Sequence, residues 1–318
     1  MKHRRAFWAE RAGRYYRAVA AALAVLALCS CSRAGSGDSR PPVANAAPDT
    51  AALAEPANGA SGTEAAAISG ELPYIDQVAQ QVIAQITEPG MNEYERAKAA
   101  FDYIIESTTL IEPLGLDLWR IRGDYAQPPA FVENRSLSVL LYGVGMCEDY
   151  AAALTVLLRG MGMEAEYVPG LTYSAAGTGL VDHAWTIAKI DGEWYHLDCQ
   201  LEDNISRRDT TRYKYFMRSD ATMQASHRWG QNLIDAQLLT PAQNQELARD
   251  FIAPICSKDL PTPAPRTFAS VPMPDLGTIQ AEIDAEFRAY ENTHGVLPPA
   301  ELNIIPPVFG EKGYGAQG

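Results

Sequence analysis

The dipeptide Asp191-Gly192 constrains this chain's structure more than any other pair of residues. It stands between two alternating runs, His183-Ala184-Trp185-Thr186-Ile187 and Trp194-Tyr195-His196-Leu197-Asp198. Asp-Gly in a two-residue loop supplies the positive φ angles of a type I′ turn, whose twist suits an antiparallel hairpin. With Ile190 opposite Glu193, Trp185 faces Asp198 and His183 faces Gln200. Because strand side chains alternate, His183, Trp185, Ile187, His196, Asp198 and Gln200 then share one face, and Cys199 points to the other. His183 and Asp198 become diagonal neighbours, close enough for their side chains to meet.

Upstream lies Gly143-Val144-Gly145-Met146-Cys147-Glu148-Asp149-Tyr150-Ala151, a glycine turn running into a helix. Tyr150, Leu154, Leu157, Leu158 and Met161 recur at three and four, which predicts a helix over Cys147–Met161, ended by Gly162. Ala151, Ala152 and Ala153 keep its first turns slim enough to approach a sheet. A thiol is a poor nucleophile until an imidazole takes its proton, and that imidazole needs a third group to fix its tautomer. Cys147, His183 and Asp198 are the candidate nucleophile, base and orienter. A helix N-terminus favours a thiolate, and its free amides can receive an oxyanion; Glu148 and Asp149 oppose the thiolate. Singly, each residue has a plainer reading: a small buried cysteine, a structural strand histidine, an acid at a strand end. His196 competes for the base. His183 is preferred because it opens its strand, where a site edge is expected.

The N-terminus has a different character. Six Lys/Arg within the first 17 residues precede the apolar run Ala18–Leu28, too short to span a bilayer, which takes about 20 residues. That order reads as a secretory signal. It ends in Leu28-Cys29-Ser30-Cys31, which resembles a bacterial lipobox with Cys31 as the lipidated residue; the alternative is secretion without lipid. Removing residues 1–31 takes away six of 26 basic residues and one of 39 acids, leaving 20 against 38. So acidic a surface excludes nucleic acid and anionic membrane as partners, leaving the lipid anchor as the membrane contact. Residues 32–71, rich in Ala, Pro, Gly and Ser, read as a flexible tether.

Helices are expected over Leu72–Thr87 and Glu93–Ser107, the second capped by Asn92. Thr108–Glu133 reads as irregular. Strands are expected over Glu164–Pro169 and Thr211–Ser219, with a glycine-containing loop at Leu171–Leu180. The extension 229–318 holds a partly helical stretch at Asn232–Phe251, a proline-rich linker at Leu260–Pro274, a short amphipathic helix at Leu276–Glu291 and an extended end at Leu297–Gly318. Cys199 and Cys256 remain after Cys31 and Cys147 are assigned; in an exported chain they form a disulfide or stay as two separate buried thiols. No cysteine pair has zinc spacing and no His-Glu-x-x-His occurs, so neither metal nor cofactor is called for.

The nonapeptide around Cys147, the run His183-Ala184-Trp185, and Asp191-Gly192-Glu193-Trp194-Tyr195-His196-Leu197-Asp198 together resemble the core of the bacterial transglutaminase-like family, within the papain-like superfamily of cysteine enzymes. The resemblance covers Leu72–Arg228. It implies an α+β fold with a nucleophile helix packed against an antiparallel sheet, and a Cys147-His183-Asp198 triad carrying out acyl transfer on protein or cell-wall peptide amides. Hydrolysis ranks above transamidation, since nothing marks an amine-donor site. The family also has idle members, so a binding or assembly module is the alternative. A related acetyltransferase ranks third, for want of a basic pocket for a phosphorylated acyl carrier. The second oxyanion donor is unassigned, with Trp119, Tyr125 and Tyr142 as candidates. Cys199 departs from the family, where Thr or Pro commonly follows the aspartate.

Overall fold

The computed structural model describes residues 72–123, 125, 128–173, 179–205, 210–230, 253–269 and 272–298. The signal segment with Cys31, the tether, the stretch Asn232–Phe251 and the end beyond residue 298 lie outside them. The described residues belong to one compact unit, apart from Tyr173 and 179–181 at the outer ends of two strands.

Helix α1 (Tyr74–Ile86) buries Ile75, Val78, Ala79, Val82 and Ile83, the stripe its periodicity predicts. Helix α2 (Glu93–Ser107) starts at Asn92 through reciprocal bonds: Asn92 Oδ1 accepts from Glu95 N–H at 2.9 Å, and Glu95 Oε2 accepts from Asn92 N–H at 3.0 Å. Strand β1 (Thr109–Leu110) and a short helix, α3 (Trp119–Arg122), follow.

The segment read as irregular before the glycine turn ends in a 12-residue helix, α4 (Phe131–Tyr142). Its buried side includes Asn134, Ser136 and Ser138 beside Leu137, Val139 and Leu140, so the sequence shows no apolar stripe there. Ser138 Oγ donates to Val144 O at 2.6 Å and accepts from Leu114 N–H at 2.8 Å, which makes its burial tolerable. Gly143 closes α4 at φ 61°, and a Cβ there would lie 2.3 Å from Ser107 O. Strand β2 (Val144–Gly145) pairs in parallel with β1 and leads into α5 (Cys147–Gly160).

The main sheet has five strands in the order β7-β5-β4-β3-β8: β3 (Ala165–Tyr173), β4 (Leu180–Ile190), β5 (Glu193–Leu197), β7 (Phe216–Arg218) and β8 (His227–Arg228). The β4–β5 register runs from Ile190↔Glu193 to Thr186↔Leu197, as the turn dipeptide dictates, with Asp191 at φ 50° and Gly192 at φ 84°. Ala188, Ile190, Leu197 and Phe216 join α1, α2, α4 and α5 in one core. Trp185, Ile187, Val168, Tyr215, Met223, Trp229 and Cys256 form a second cluster on the opposite side of the sheet. This is the expected α+β arrangement, with the Cys147 helix against an antiparallel sheet.

Three expectations need correction. Asp198 does not close β5: the strand ends at Leu197, and helix α6 (Cys199–Ile205) begins, with Asp198 Oδ1 accepting from Leu201 N–H at 2.9 Å. Gln200 is therefore helical. The strand read at Thr211–Ser219 is two pieces, β6 (Thr210–Thr211) and β7, with Tyr213 at a left-handed φ of 57° in the break between them; Met217, at φ 55°, marks a bulge within β7. The buried Glu202 carboxylate accepts from Arg212 and Tyr215 N–H in place of a ladder. The loop expected at Leu171–Leu180 is shorter, since β3 runs to Tyr173 and β4 starts at Leu180.

Of the C-terminal part, α7 (Asp220–Met223) follows β7, β9 (Arg266–Thr267) pairs with β6, and α8 (Leu276–His294) buries Ile283 in the main core. Cys199 and Cys256 are free thiols in different clusters. Cys199 Sγ faces Tyr150 O at 3.7 Å, whereas Cys256 lies beside Asp220, so the disulfide gives way to two separate buried thiols.

Candidate active site

Cys147 is the first residue of α5, buried, with its Sγ–H donating to Glu148 Oε2 at 3.4 Å. Asp149 anchors this turn. Its Oδ2 accepts from Met146 N–H at 2.7 Å and from Arg135 Nη2 at 2.8 Å. Arg135 comes from α4, the helix the sequence reading missed, and its Nε stands 2.7 Å from Asp149 Oδ1. Burial raises the Asp149 carboxyl to about 7, against the pull of Arg135 and the Met146 amide. Burial also pushes the Cys147 thiol well up, reinforced by Glu148, by Asp149 and by Asp198. Burial and the three acids all act in the same direction, which favours the thiol over the thiolate.

The slim face of α5 lies on β4. Thr155 Oγ1 is 3.1 Å from Thr186 Oγ1, and Thr186 Oγ1 donates to Ala151 O at 3.0 Å. Ala151, one turn past Cys147, packs with Ala184 and with Tyr167 of β3. His183 alternates onto the other face, where its ring stacks on Trp185 with centroids 6.0 Å apart.

Of the three sequence-derived residues, the structure joins two directly: His183 Nε2 and Asp198 Oδ2 are 2.7 Å apart, both side chains nearly inaccessible. Cys147 is near enough for the Asp198 charge to act on it, but its hydrogen bond goes to Glu148 rather than to an imidazole. Burial disfavours the Asp198 carboxylate, yet His183 and His227 outweigh it and hold this carboxyl well below the usual range.

His227 is the residue the sequence reading passed over. Its Nε2 lies 2.9 Å from the same Asp198 Oδ2, and its Nδ1 lies 2.9 Å from Ser226 Oγ. It sits in β8 opposite Thr172 of β3 and is fully buried. A two-residue strand carries no periodicity, so nothing local marked it. His196, the competing base, is occupied elsewhere: Trp185 Nε1–H donates to its Nδ1 at 2.9 Å, and its Nε2 lies 2.8 Å from Asp220 Oδ1. Trp119, Tyr125 and Tyr142, the oxyanion candidates, pack against the helical core. Tyr125 accepts from Ile75 N–H through its hydroxyl, at 3.1 Å.

Among the described residues, two trios have the chemistry to hold a cation, His183-Asp198-His227 and His196-Asp220-Cys256, each with its ligand-type atoms within 4.8 Å. The second does not fit. An indole N–H only donates, so His196 Nδ1 must carry a lone pair and Nε2 the proton given to Asp220. A cation on Nε2 would require the imidazolate, whereas metal-bound imidazoles donate from their other nitrogen. In the first trio, two Nε2–H donors to one carboxylate oxygen account for both short distances without an ion.

A slim helix carrying a cysteine on its first turn is thus set against an antiparallel sheet that carries a His-Asp pair. Residues 80–199, which include Cys147, His183 and Asp198, match the family model of the transglutaminase-like superfamily. Among solved structures, the chain is similar to a candidate cysteine protease from Cytophaga hutchinsonii, at 19% identity and TM-score 0.29 over 39% of this chain and 37% of that one. It is also similar to a protein described as a TGase, at 19% identity and TM-score 0.28 over 39% and 31%. A third is an arylamine N-acetyltransferase from Bacillus cereus, described as having a Cys-His-Glu triad, at 16% identity and TM-score 0.28 over 40% and 49%. The chain spans less than half the length of each of these structures. No curated protein matches it.

Proposed function

We propose that this chain is an exported, lipid-anchored cysteine enzyme that cleaves or transfers acyl groups at protein or cell-wall peptide amides, with Cys147 as nucleophile, His183 as base and Asp198 as orienter. The observation that carries the reading is the 2.7 Å contact between His183 Nε2 and Asp198 Oδ2. An ionised Asp198 takes the Nε2 proton as a hydrogen bond, which leaves the Nδ1 lone pair for a thiol. In the reaction the thiol proton passes to Nδ1 as sulfur adds to the amide carbon, and the carbonyl oxygen becomes an oxyanion at the α5 amides. Collapse breaks the C–N bond, and Nδ1–H protonates the departing amine. Water then loses a proton to Nδ1, attacks the thioester carbon and releases acid and thiol. An amine in place of water gives transamidation. No step draws on a cofactor.

For the thiol to reach Nδ1, its hydrogen bond to Glu148 must give way. That bond and the raised thiol favour a second reading, a retained fold with an idle site serving as a binding module at the cell surface. One experiment separates the two. The protein is treated with an electrophilic glutamine-peptide probe across pH 5 to 9 and labelling is read by intact mass, beside the Cys147→Ala variant. The enzyme reading expects labelling below pH 8 that disappears in the variant. Equal labelling of both proteins, or a thiol that reacts only at alkaline pH, leaves the idle module.

A further inference from the structure

We infer that His227 is a positioning residue for this reaction: by donating to Asp198 it keeps the carboxylate ionised, and so fixes the His183 tautomer that presents a bare Nδ1 to the thiol. The inference rests on the proposed triad and adds a residue outside the stretch that matches the family.

Asp198 is nearly inaccessible to water, and a buried carboxylate persists only when its oxygens receive donors. It has three. Leu201 N–H serves Oδ1 at 2.9 Å, while His183 Nε2 and His227 Nε2 serve Oδ2 at 2.7 and 2.9 Å. Before His183 takes up the thiol proton it is neutral, so the anion then depends on those three N–H groups. Take away the His227 donor and the lowest-cost response is for Asp198 to acquire a proton. A protonated carboxyl donates to His183 Nε2. The imidazole proton then moves to Nδ1, where it faces the thiol, and no base remains. His227 has the geometry for this duty and for no contact with substrate: it is wholly buried, paired to β3 through Thr172, with Ser226 Oγ at 2.9 Å from its Nδ1. A serine hydroxyl can donate there, which leaves the Nε2 proton for Asp198. The rings of His183 and His227 are 5.7 Å apart and tilted by 46°, so both converge on one oxygen without stacking.

The test uses the full chain with nitrogen-15-labelled histidine, whose five imidazoles are few enough to assign. Ring spectra report the His183 tautomer, and the rate of iodoacetamide alkylation at Cys147 reports the base, with Cys147→Ala as the blank. Two variants fill the buried space: His227→Leu without a donor and His227→Gln with one. The expected result is an Nε2-protonated His183 in the wild type, an Nδ1-protonated ring and about tenfold slower alkylation in His227→Leu, and return of both towards wild type in His227→Gln. An Nδ1-protonated His183 in the wild type overturns the inference without any variant. So does a Leu variant with unchanged tautomer and rate, or a Gln variant that matches Leu in both. If wild-type Cys147 alkylates no faster than glutathione, the triad reading fails instead, and the spectra still decide whether His227 sets the tautomer.

Discussion

Glu148 sits where it governs the resting thiol. It accepts the Cys147 S–H at 3.4 Å, and its carboxylate is 3.9 Å from Arg135. A negative charge beside a thiol disfavours the thiolate, so Glu148→Gln is expected to lower the thiol pKa and raise Cys147 alkylation at pH 7 by roughly threefold or more. A rate equal to or below wild type would show that Glu148 does not set this thiol's reactivity. At this scale the candidate residues divide by how locally they are encoded. Cys147 sits in a glycine turn before a helix, and His183 and Asp198 flank a turn dipeptide; each could be located from its neighbours. His227, Arg135 and Tyr167 could not. Their relation to the site is made by tertiary packing, with β8 arriving beside β3 and α4 beside α5, and single-sequence periodicity does not report that.

The elements divide in the same way. Helix α2 and the β4–β5 hairpin have local codes, a capping box and an Asp-Gly turn, and both formed where expected. Helix α4 was hidden because it buries serines that bond to backbone. Helix α6 was hidden because Asp198, which starts it, looks like the end of a strand. The join between α4 and β2 yields a sharp prediction. Gly143 has a positive φ and also no room for a Cβ, whereas Gly162, after α5, has φ 85° and open space around it. Gly162→Ala should cost about 1 kcal/mol from backbone strain alone. Gly143→Ala should cost clearly more, about 2–3 kcal/mol, because the methyl meets Ser107 O. Urea unfolding of both variants measures the difference. Equal losses would mean that α2 moves aside at little cost.

Across the whole molecule, the C-terminal part is tied to the core by charge as well as apolar contact. Arg266 reaches Asp102 at 2.8 Å, Arg218 Nη2 donates to Thr262 Oγ1 at 2.6 Å, and Arg122 pairs with Glu286. The boundary near Arg228 is where the family resemblance ends, and the proline-rich stretch Leu260–Pro274 beyond it looks like linker. The packing of Leu260, Phe268 and Phe287 on the main core rests on contacts far apart in the chain, which composition does not encode.

The buried ionisable groups also set how the whole fold responds to acid. Burial lowers His196 and His227 below the ordinary imidazole range, despite Asp220 beside the first and Asp198 beside the second. A histidine depressed in the fold binds fewer protons than in the unfolded chain as pH falls below about 6.5, so stability drops there by up to about 1.4 kcal/mol per pH unit for each group. Asp149 acts in the opposite sense. Its carboxyl, raised to about 7, holds a proton in the fold that the unfolded chain releases near pH 4, so its contribution grows as pH falls through 7. Asp198, depressed in the fold, loses its contribution only below about pH 4 and stays outside this window. Between pH 7.5 and 5.5 the two histidines and Asp149 therefore oppose one another, and the wild-type urea midpoint is expected to rise less, or fall more, than that of a variant without the two imidazoles. In the double variant His196→Gln with His227→Gln only Asp149 remains of the three, and the midpoint should rise over the same interval. A wild-type midpoint that changes over this interval just as the double variant's does would mean that these two imidazoles are charged inside the fold. That is incompatible with Trp185 donating to His196 Nδ1.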